Sequence, residues 1–537
     1  MKNIIHPKTI MTYASHKKIH YILLTLIILL GFFVRIYHID SVPSGIYPDE
    51  ANNGTNAFDA QRTNIYPWFY PDNNGREGLF INLIAILFKL FGVNIITFKL
   101  PAIIMGTLTV IGVYFLSREL FISRPRLALI AAYLTAISYW AVNFSRICFR
   151  ANMMVPILVF LFYFLFKALR TRKPLHFAIA GALCGLGFHT YIAYRITPAL
   201  VLVLFVLFAI QQGFSHFIKR YWKGLLLFFV SAFLVFAPMG YTYYTHPEYL
   251  TSRTGDISVF AVKDAPLTQT LTYTITLSLL KYNVAGDNNW RHNFPPYPLL
   301  EPCVGLMFLG GLITSIGLFF LYLFRRYRFN VRNRTFVVHG FLLAWFVGFL
   351  APEFLTTEGL PHALRSIGTI PVVFIFAAFF ITILLERSQK HSHLLFVAAS
   401  VMTVTLLIYS GFFDMIKYHV FWATNVNQAY AFNKNLTDMG RFAHDLPQSE
   451  VQIYIVAGHM DLLPVKMLTT DRTDTRYVYE NDLAQIDTTQ PFILLLPYEN
   501  ISVIDYVAKR SDVVIEKIQK PLNSSFVMVT SINNQKL

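Results

Sequence analysis

The chain has 537 residues, of which 55% are hydrophobic and 14% charged, against about 25% charged in an average soluble domain. That balance argues against a soluble protein and for a polytopic membrane protein. The net charge of +16 would suit a nucleic-acid binder, but such a protein gathers its bases on one soluble face, and here they punctuate apolar runs.

In chain order, the first apolar run, 19–36, follows a basic leader with Lys2, Lys8, Lys17 and Lys18. It is long enough to span and lacks a small-x-small cleavage site, so it reads as an uncleaved anchor. A spanning helix needs about 20 mostly apolar residues. Candidate spans are 19–37, 98–117, 127–143, 152–170, 175–190, 194–213, 223–241, 301–324, 335–351, 366–385 and 393–413, which makes about eleven. The run 78–93 is shorter. Lys and Arg in short loops accumulate on the cytoplasmic side. If 78–93 does not cross, the clusters Arg118, Arg124 and Arg126; Lys167, Arg170, Arg172 and Lys173; Lys219, Arg220 and Lys223; Arg325, Arg326, Arg328, Arg332 and Arg334; and Arg387 and Lys390 all lie inside with the N-terminus. The segment is therefore expected as an embedded or interfacial helix in the first outer loop.

After about residue 414 the pattern changes. Residues 427–446 are expected as an amphipathic helix, 451–458, 491–497, 513–518 and 525–532 as strands, and 501–509 as a helix between two of them. The expected organisation is a membrane domain, 1–413, and a small α/β domain, 414–537, outside the cytoplasm. Cys148, Cys184 and Cys303 show no CxxC spacing, so no zinc site or disulfide framework is indicated.

With this topology, most of the polar residues that are unusual beside a membrane fall on the outer side. They are Asp49 and Glu50 in YPDEA, Arg76 and Glu77 in NGREGLF, Arg146 and Arg150 in SRICFRA, and His189, Tyr194 and Arg195 in FHTYIAYR. Further along are Asp287, Arg291 and His292 in GDNNWRHN, and Glu358, His362 and Arg365 in EGLPHALR. On helices, Arg146 with Arg150 and His362 with Arg365 would each share a face. Each has a plainer reading: a solvated acid pair, arginines snorkelling to headgroups, a histidine satisfied at a helix end. Charges within a bilayer are costly, however, and their convergence at one face suits a polar cavity that holds a phosphate, for which the guanidinium fork is apt. The carboxylates suit a general base that takes the proton of an acceptor hydroxyl as a bond forms.

The order of a first span, an outer loop with Asp-Glu, NGREGLFINLIAILFKLFGVN and FKLPAIIMGTLTVIGVYFLSRELF resembles the bacterial family-39 glycosyltransferases. These are relatives of the protein O-mannosyltransferases and of the aminoarabinose transferases that modify lipid A. The resemblance covers roughly 19–400 and implies the GT-C fold class and transfer of a sugar from a polyprenyl-phosphate donor to an acceptor hydroxyl on the outer face, with inversion. It makes Asp49 the base, with Glu50 its neighbour in catalysis. Arg146, Arg150, Arg291 and Arg365 are the phosphate candidates by their chemistry, and Arg76, Glu77, His189, Tyr194, Arg195, Asp287, His292, Glu358 and His362 the further pocket candidates. Some relatives bind a divalent metal through carboxylate and histidine, while the mannosyltransferase branch works without one; if a metal is present here, Glu77 with His189 or His292 would make its site. The implied partners are the lipid-linked donor, a glycan, lipid or protein acceptor, and membrane lipid. The alternative is a transporter or flippase of lipid-linked sugars, which would bring internal repeats and broken helices; none is visible.

Overall fold

The structure, a computed structural model, describes residues 7–251, 258–261, 265–329, 333–448 and 450–531. Lys2, Arg332 and Ile532, used in the sequence reading, lie outside them. The protein is mostly helical. Among the described residues nine helical stretches are long and apolar enough to cross a membrane, from Lys18–Ile36 to His393–Trp422. The expected spans 127–143 and 175–190 fall instead on the shorter helices Pro125–Ile137 and Pro174–Leu186. The run 78–93 forms the 13-residue helix Leu79–Phe91, about 20 Å long at 1.5 Å per residue and too short for a 30 Å hydrocarbon core. It turns Phe80, Ile81, Ile84 and Phe88 into the protein core.

Several of the basic loops meet at one end of the bundle. Glu119 accepts from Arg170 and Arg334, and Arg124 forms a two-pronged pair with Glu386. The helix Pro48–Thr63 opens with Pro48 in its first turn, where the missing N–H costs nothing, and with Asp49 and Glu50 facing the positive helix end. A two-residue ladder, Phe69–Tyr70 against Arg76–Glu77, leads into the helix Leu79–Phe91. At their junction Gly78 donates to the Trp68 carbonyl, and a Cβ on it would overlap the carbonyl of Pro67.

The C-terminal part is a five-stranded mixed sheet in the order Thr475–Tyr479, Gln452–Ala457, Phe492–Leu496, Ser524–Ser531, Val513–Lys520. The first three strands are parallel, and the last two join antiparallel. The expected helix 427–446 is split into Val426–Ala431 and Lys434–Asp445, with Asn433 left-handed between them at φ 49°. The sheet does not stand apart from the membrane helices. Ser44 donates to Gln428 at 2.9 Å, the Ile46 N–H to Thr437 at 2.8 Å, and Arg441 reaches the Asp40 carbonyl. Tyr47, Tyr139, Ile147, Tyr418, Trp422 and Phe432 form a small core of their own across this seam.

Candidate active site

The acid pair at the start of Pro48–Thr63 divides, because successive helix residues point about 100° apart. Glu50 is fully buried. Its Oε1 accepts from the Cys148 N–H at 2.9 Å, its Oε2 has no hydrogen bond, and the buried Lys99 is its nearest compensating charge. Burial pushes the Glu50 carboxyl above the usual range, against the opposing pull of Lys99 and the Cys148 N–H. Asp49 faces a cavity of about 230 Å³ and accepts from Asn73 Nδ2 at 2.8 Å. Only Asp49 of the two lines that cavity; Glu50, expected beside it in catalysis, acts as an internal strut.

Three arginines enter the same cavity in different states. Arg76 is 1% exposed and held by Asn53 at 2.7 Å, Asn56 at 2.6 Å and Asp72 at 2.5 Å. Arg150 is paired with Glu77 at 2.7 Å and stands over the Tyr191 ring at 5.7 Å. Arg291 lies over the Tyr47 ring at 5.0 Å, its Nε within 3.3 Å of Asn289 Oδ1. Among the described residues Arg291 has no carboxylate partner, so its charge is the one left uncompensated in the cavity. Burial, with the Asp49 and Glu50 carboxylates nearby, pushes the Tyr47 hydroxyl upward and keeps it protonated.

The far wall carries His292 and His362, their rings 4.8 Å apart. Asp287 Oδ2 is 3.0 Å from His292 Nδ1 and 4.0 Å from His362 Nδ1. It also accepts from the Ala363 N–H at 2.8 Å, and Oδ1 takes the Asn289 N–H at 2.8 Å. Burial raises the Asp287 carboxyl, but the His292 hydrogen bond, the two histidines and the Ala363 N–H outweigh it and hold it below the ordinary value. Behind this wall Lys281 and Glu353 form a fully buried pair, and Glu353 Oε1 accepts the His362 N–H at 3.0 Å.

Other expected site residues are used elsewhere. Arg146 is fully buried and donates to the carbonyls of Val34, Arg35, His38 and Val42 at 2.8 to 3.1 Å, which caps the open end of the first helix. It does not share a helix face with Arg150, because the helix Tyr139–Phe144 stops and the next begins at Ala151. His362 and Arg365 likewise lie in a turn. Arg365 holds Thr356 and the Glu358 carbonyl, and with Glu358 lines a neighbouring cavity of about 250 Å³ that meets the first at Asn289 and His362. His189 is bonded to the Val235 carbonyl and packs on Trp68, Tyr194 is buried with its hydroxyl on the Leu183 carbonyl, and Arg195 holds the Leu250 carbonyl. None of these three lines the cavity. The metal set expected from Glu77 with His189 or His292 is replaced: Glu77 is committed to Arg150. Among the described residues the one group of three metal-capable side chains is Asp287, His292 and His362, with ligand atoms within 4.8 Å of one another. Sequence reasoning missed Tyr47, Asn73, Tyr191 and Asn289, polar groups with no charge to betray them, and Lys99, Lys281 and Glu353, whose only signal is a charge inside or beside an apolar run.

Comparison with known proteins places this architecture. Residues 79–242 match the family model described as dolichyl-phosphate-mannose-protein mannosyltransferase. Among solved structures, the chain is similar to ArnT from Cupriavidus metallidurans bound to undecaprenyl phosphate, with a TM-score of 0.55 at 13% identity over 96% of this chain and 98% of that one. It is also similar to the Archaeoglobus fulgidus oligosaccharyltransferase tethered to an acceptor peptide, with a TM-score of 0.50 at 14% identity over 93% of this chain and 69% of that one. The oligosaccharyltransferase AglB from Archaeoglobus fulgidus, in complex with an inhibitory peptide and a dolichol-phosphate, gives 0.50 at 14% identity, over 94% and 70%. Comparison with curated proteins by sequence finds no match. The chain is a multi-pass membrane protein with the GT-C fold of these structures, and its residues 79–242 match the mannosyltransferase family model.

Proposed function

We propose that the protein transfers a sugar from a polyprenyl-phosphate donor to an acceptor hydroxyl on the extracytoplasmic face of the membrane, with inversion. The observation that carries this reading is that Asp49 and the uncompensated Arg291 line one small polar cavity. The lipid phosphate bound in the similar ArnT structure, and the dolichol-phosphate in the archaeal one, support that donor class. The acceptor O–H donates to Asp49, its oxygen forms the new bond to the anomeric carbon, and the bond to the phosphate oxygen breaks with its electron pair. Arg291, backed by Arg150 and Arg76, stabilises the departing phosphate, which needs charge more than a proton. Sidedness follows from the basic loops at the other end and the positive-inside rule, with residues 414–537 as an extracytoplasmic domain beside the site.

Two imidazoles and a carboxylate with room for a further ligand are the donor set of a catalytic zinc-type ion. Asp287, His292 and His362 would hold it, and it would supply Lewis-acid stabilisation of a phosphate oxygen. Without an ion, Asp287 fixes His292 through Nδ1 and the Ala363 backbone through its N–H.

The test is purified protein with a panel of polyprenyl-phosphate sugars and acceptors, native against Asp49→Asn. Release of lipid phosphate by the native protein only is expected. Equal transfer by the variant removes Asp49 as base, and movement of lipid-linked sugar across a bilayer with no phosphate release makes the protein a transporter.

A further inference from the structure

A larger cavity, of about 780 Å³, opens beside the first. One wall is the loop 288–291, and the other comes from the C-terminal part, through Asn427, Tyr430, Asn433 and Tyr498. Asn289 and Arg291 line both cavities, so the two are continuous at Arg291. The volume falls within the range of about 300 to 1,000 Å³ typical of ligand sites, whereas the Asp49 cavity has room for a phosphate and one sugar ring at most.

The lining has a distinct chemistry. The side chains of Asn288, Asn427 and Asn433 make no hydrogen bond within the protein among the described residues, and each amide offers two donors and an acceptor. Tyr430 is 87% exposed and Tyr498 48%, so aromatic faces stand open between the amides. The charged groups are Arg291 and Asp461, one of each sign. A polyanion would ask for more cations, an acyl chain for an apolar lining, and an extended peptide for a free strand edge. Neutral amides between exposed rings match a molecule with many hydroxyls and apolar ring faces.

We propose that this groove binds the acceptor, and that the acceptor is a neutral glycan whose hydroxyl reaches Asp49 past Asn289 and Arg291. This rests on the glycosyl-transfer reading above. The cleft between the loop 288–291 and the C-terminal part is then a substrate site, with one wall from each.

The test applies the full-length protein in lipid nanodiscs to an array of defined neutral oligosaccharides, with serine- and threonine-containing peptides as the competing arm. The expected result is oligosaccharide binding that Tyr430→Ala and Asn427→Ala each weaken by about tenfold, with peptides silent. Both groove residues are exposed, and unchanged melting curves show that the variants fold. In a transfer assay with the bound oligosaccharide, the groove variants raise the acceptor KM and leave the donor KM unchanged. Binding of peptides only, no binding to any oligosaccharide, or equal binding by native protein and groove variants overturns the proposal. If the groove variants lose oligosaccharide binding while Asp49→Asn transfers at the native rate, the groove assignment stands and the catalytic assignment falls.

Discussion

Asp49 and Glu50 are adjacent in sequence and opposite in use, and their variants should separate cleanly. The Asp49 carboxylate faces the cavity and accepts from Asn73, so Asp49→Asn should lower kcat by about 100-fold to 10,000-fold, the usual worth of a general base, with no change in melting temperature. Glu50→Gln keeps an acceptor for the Cys148 N–H, whereas Glu50→Ala leaves that buried donor unpaired and should cost about 1 to 3 kcal/mol of stability. The pH sign follows from burial, which raises the folded-state value of Glu50. A carboxyl raised on folding contributes stability that is present below its unfolded value and lost as pH rises through the folded one. The melting temperature of the native protein should therefore carry a downward component as pH rises above the ordinary carboxylate range, and Glu50→Gln should remove it. Among the described residues Arg291 forms no ion pair, so Arg291→Gln should weaken the donor KM and kcat together without loss of fold, measured by steady-state kinetics beside a melting curve.

At the scale of elements, the spans were legible because about 20 apolar residues in a row have no other stable home. The directions of the charged side chains between them were not. The spacing of Arg146 and Arg150 implied one helix face, but the chain unwinds between Phe144 and Ala151, and the two guanidinium groups part: one closes the end of the first helix, the other enters the cavity. Spacing is informative only inside an unbroken helix. Arg146→Met should leave four carbonyls without their donor and lower the melting temperature by more than Arg291→Gln does. Gly78→Ala tests the junction that aims Arg76 and Glu77. Its Cβ has no space against the Pro67 carbonyl, so transfer should fall even where the protein still inserts, read as activity per folded molecule.

For the whole molecule, positive-inside counting, a global constraint, led to the expectation that the odd charges share a side, and the structure brings Asp49, Arg76, Arg150, Arg291, His292 and His362 to one cavity. The sequence did not show that Asp287, His292 and His362, from two separate loops, would form the group of three, since no local period links residues 70 positions apart. The strand Thr475–Tyr479 was also missed: its burial is poor and its side chains are mostly polar or aromatic. Sidedness can be tested on a background with the native cysteines replaced. Lys173→Cys should react with a membrane-impermeant maleimide only after permeabilisation, and Asp482→Cys in intact cells. The bonds from Ser44 to Gln428 and from Ile46 to Thr437 join positions 384 and 391 residues apart, immediately before the helix that carries Asp49. Those tethers can form only after residues 428 and 437 have left the ribosome, later than every residue that lines the Asp49 cavity, so the segment leading into Asp49 is pinned after the cavity's own walls exist.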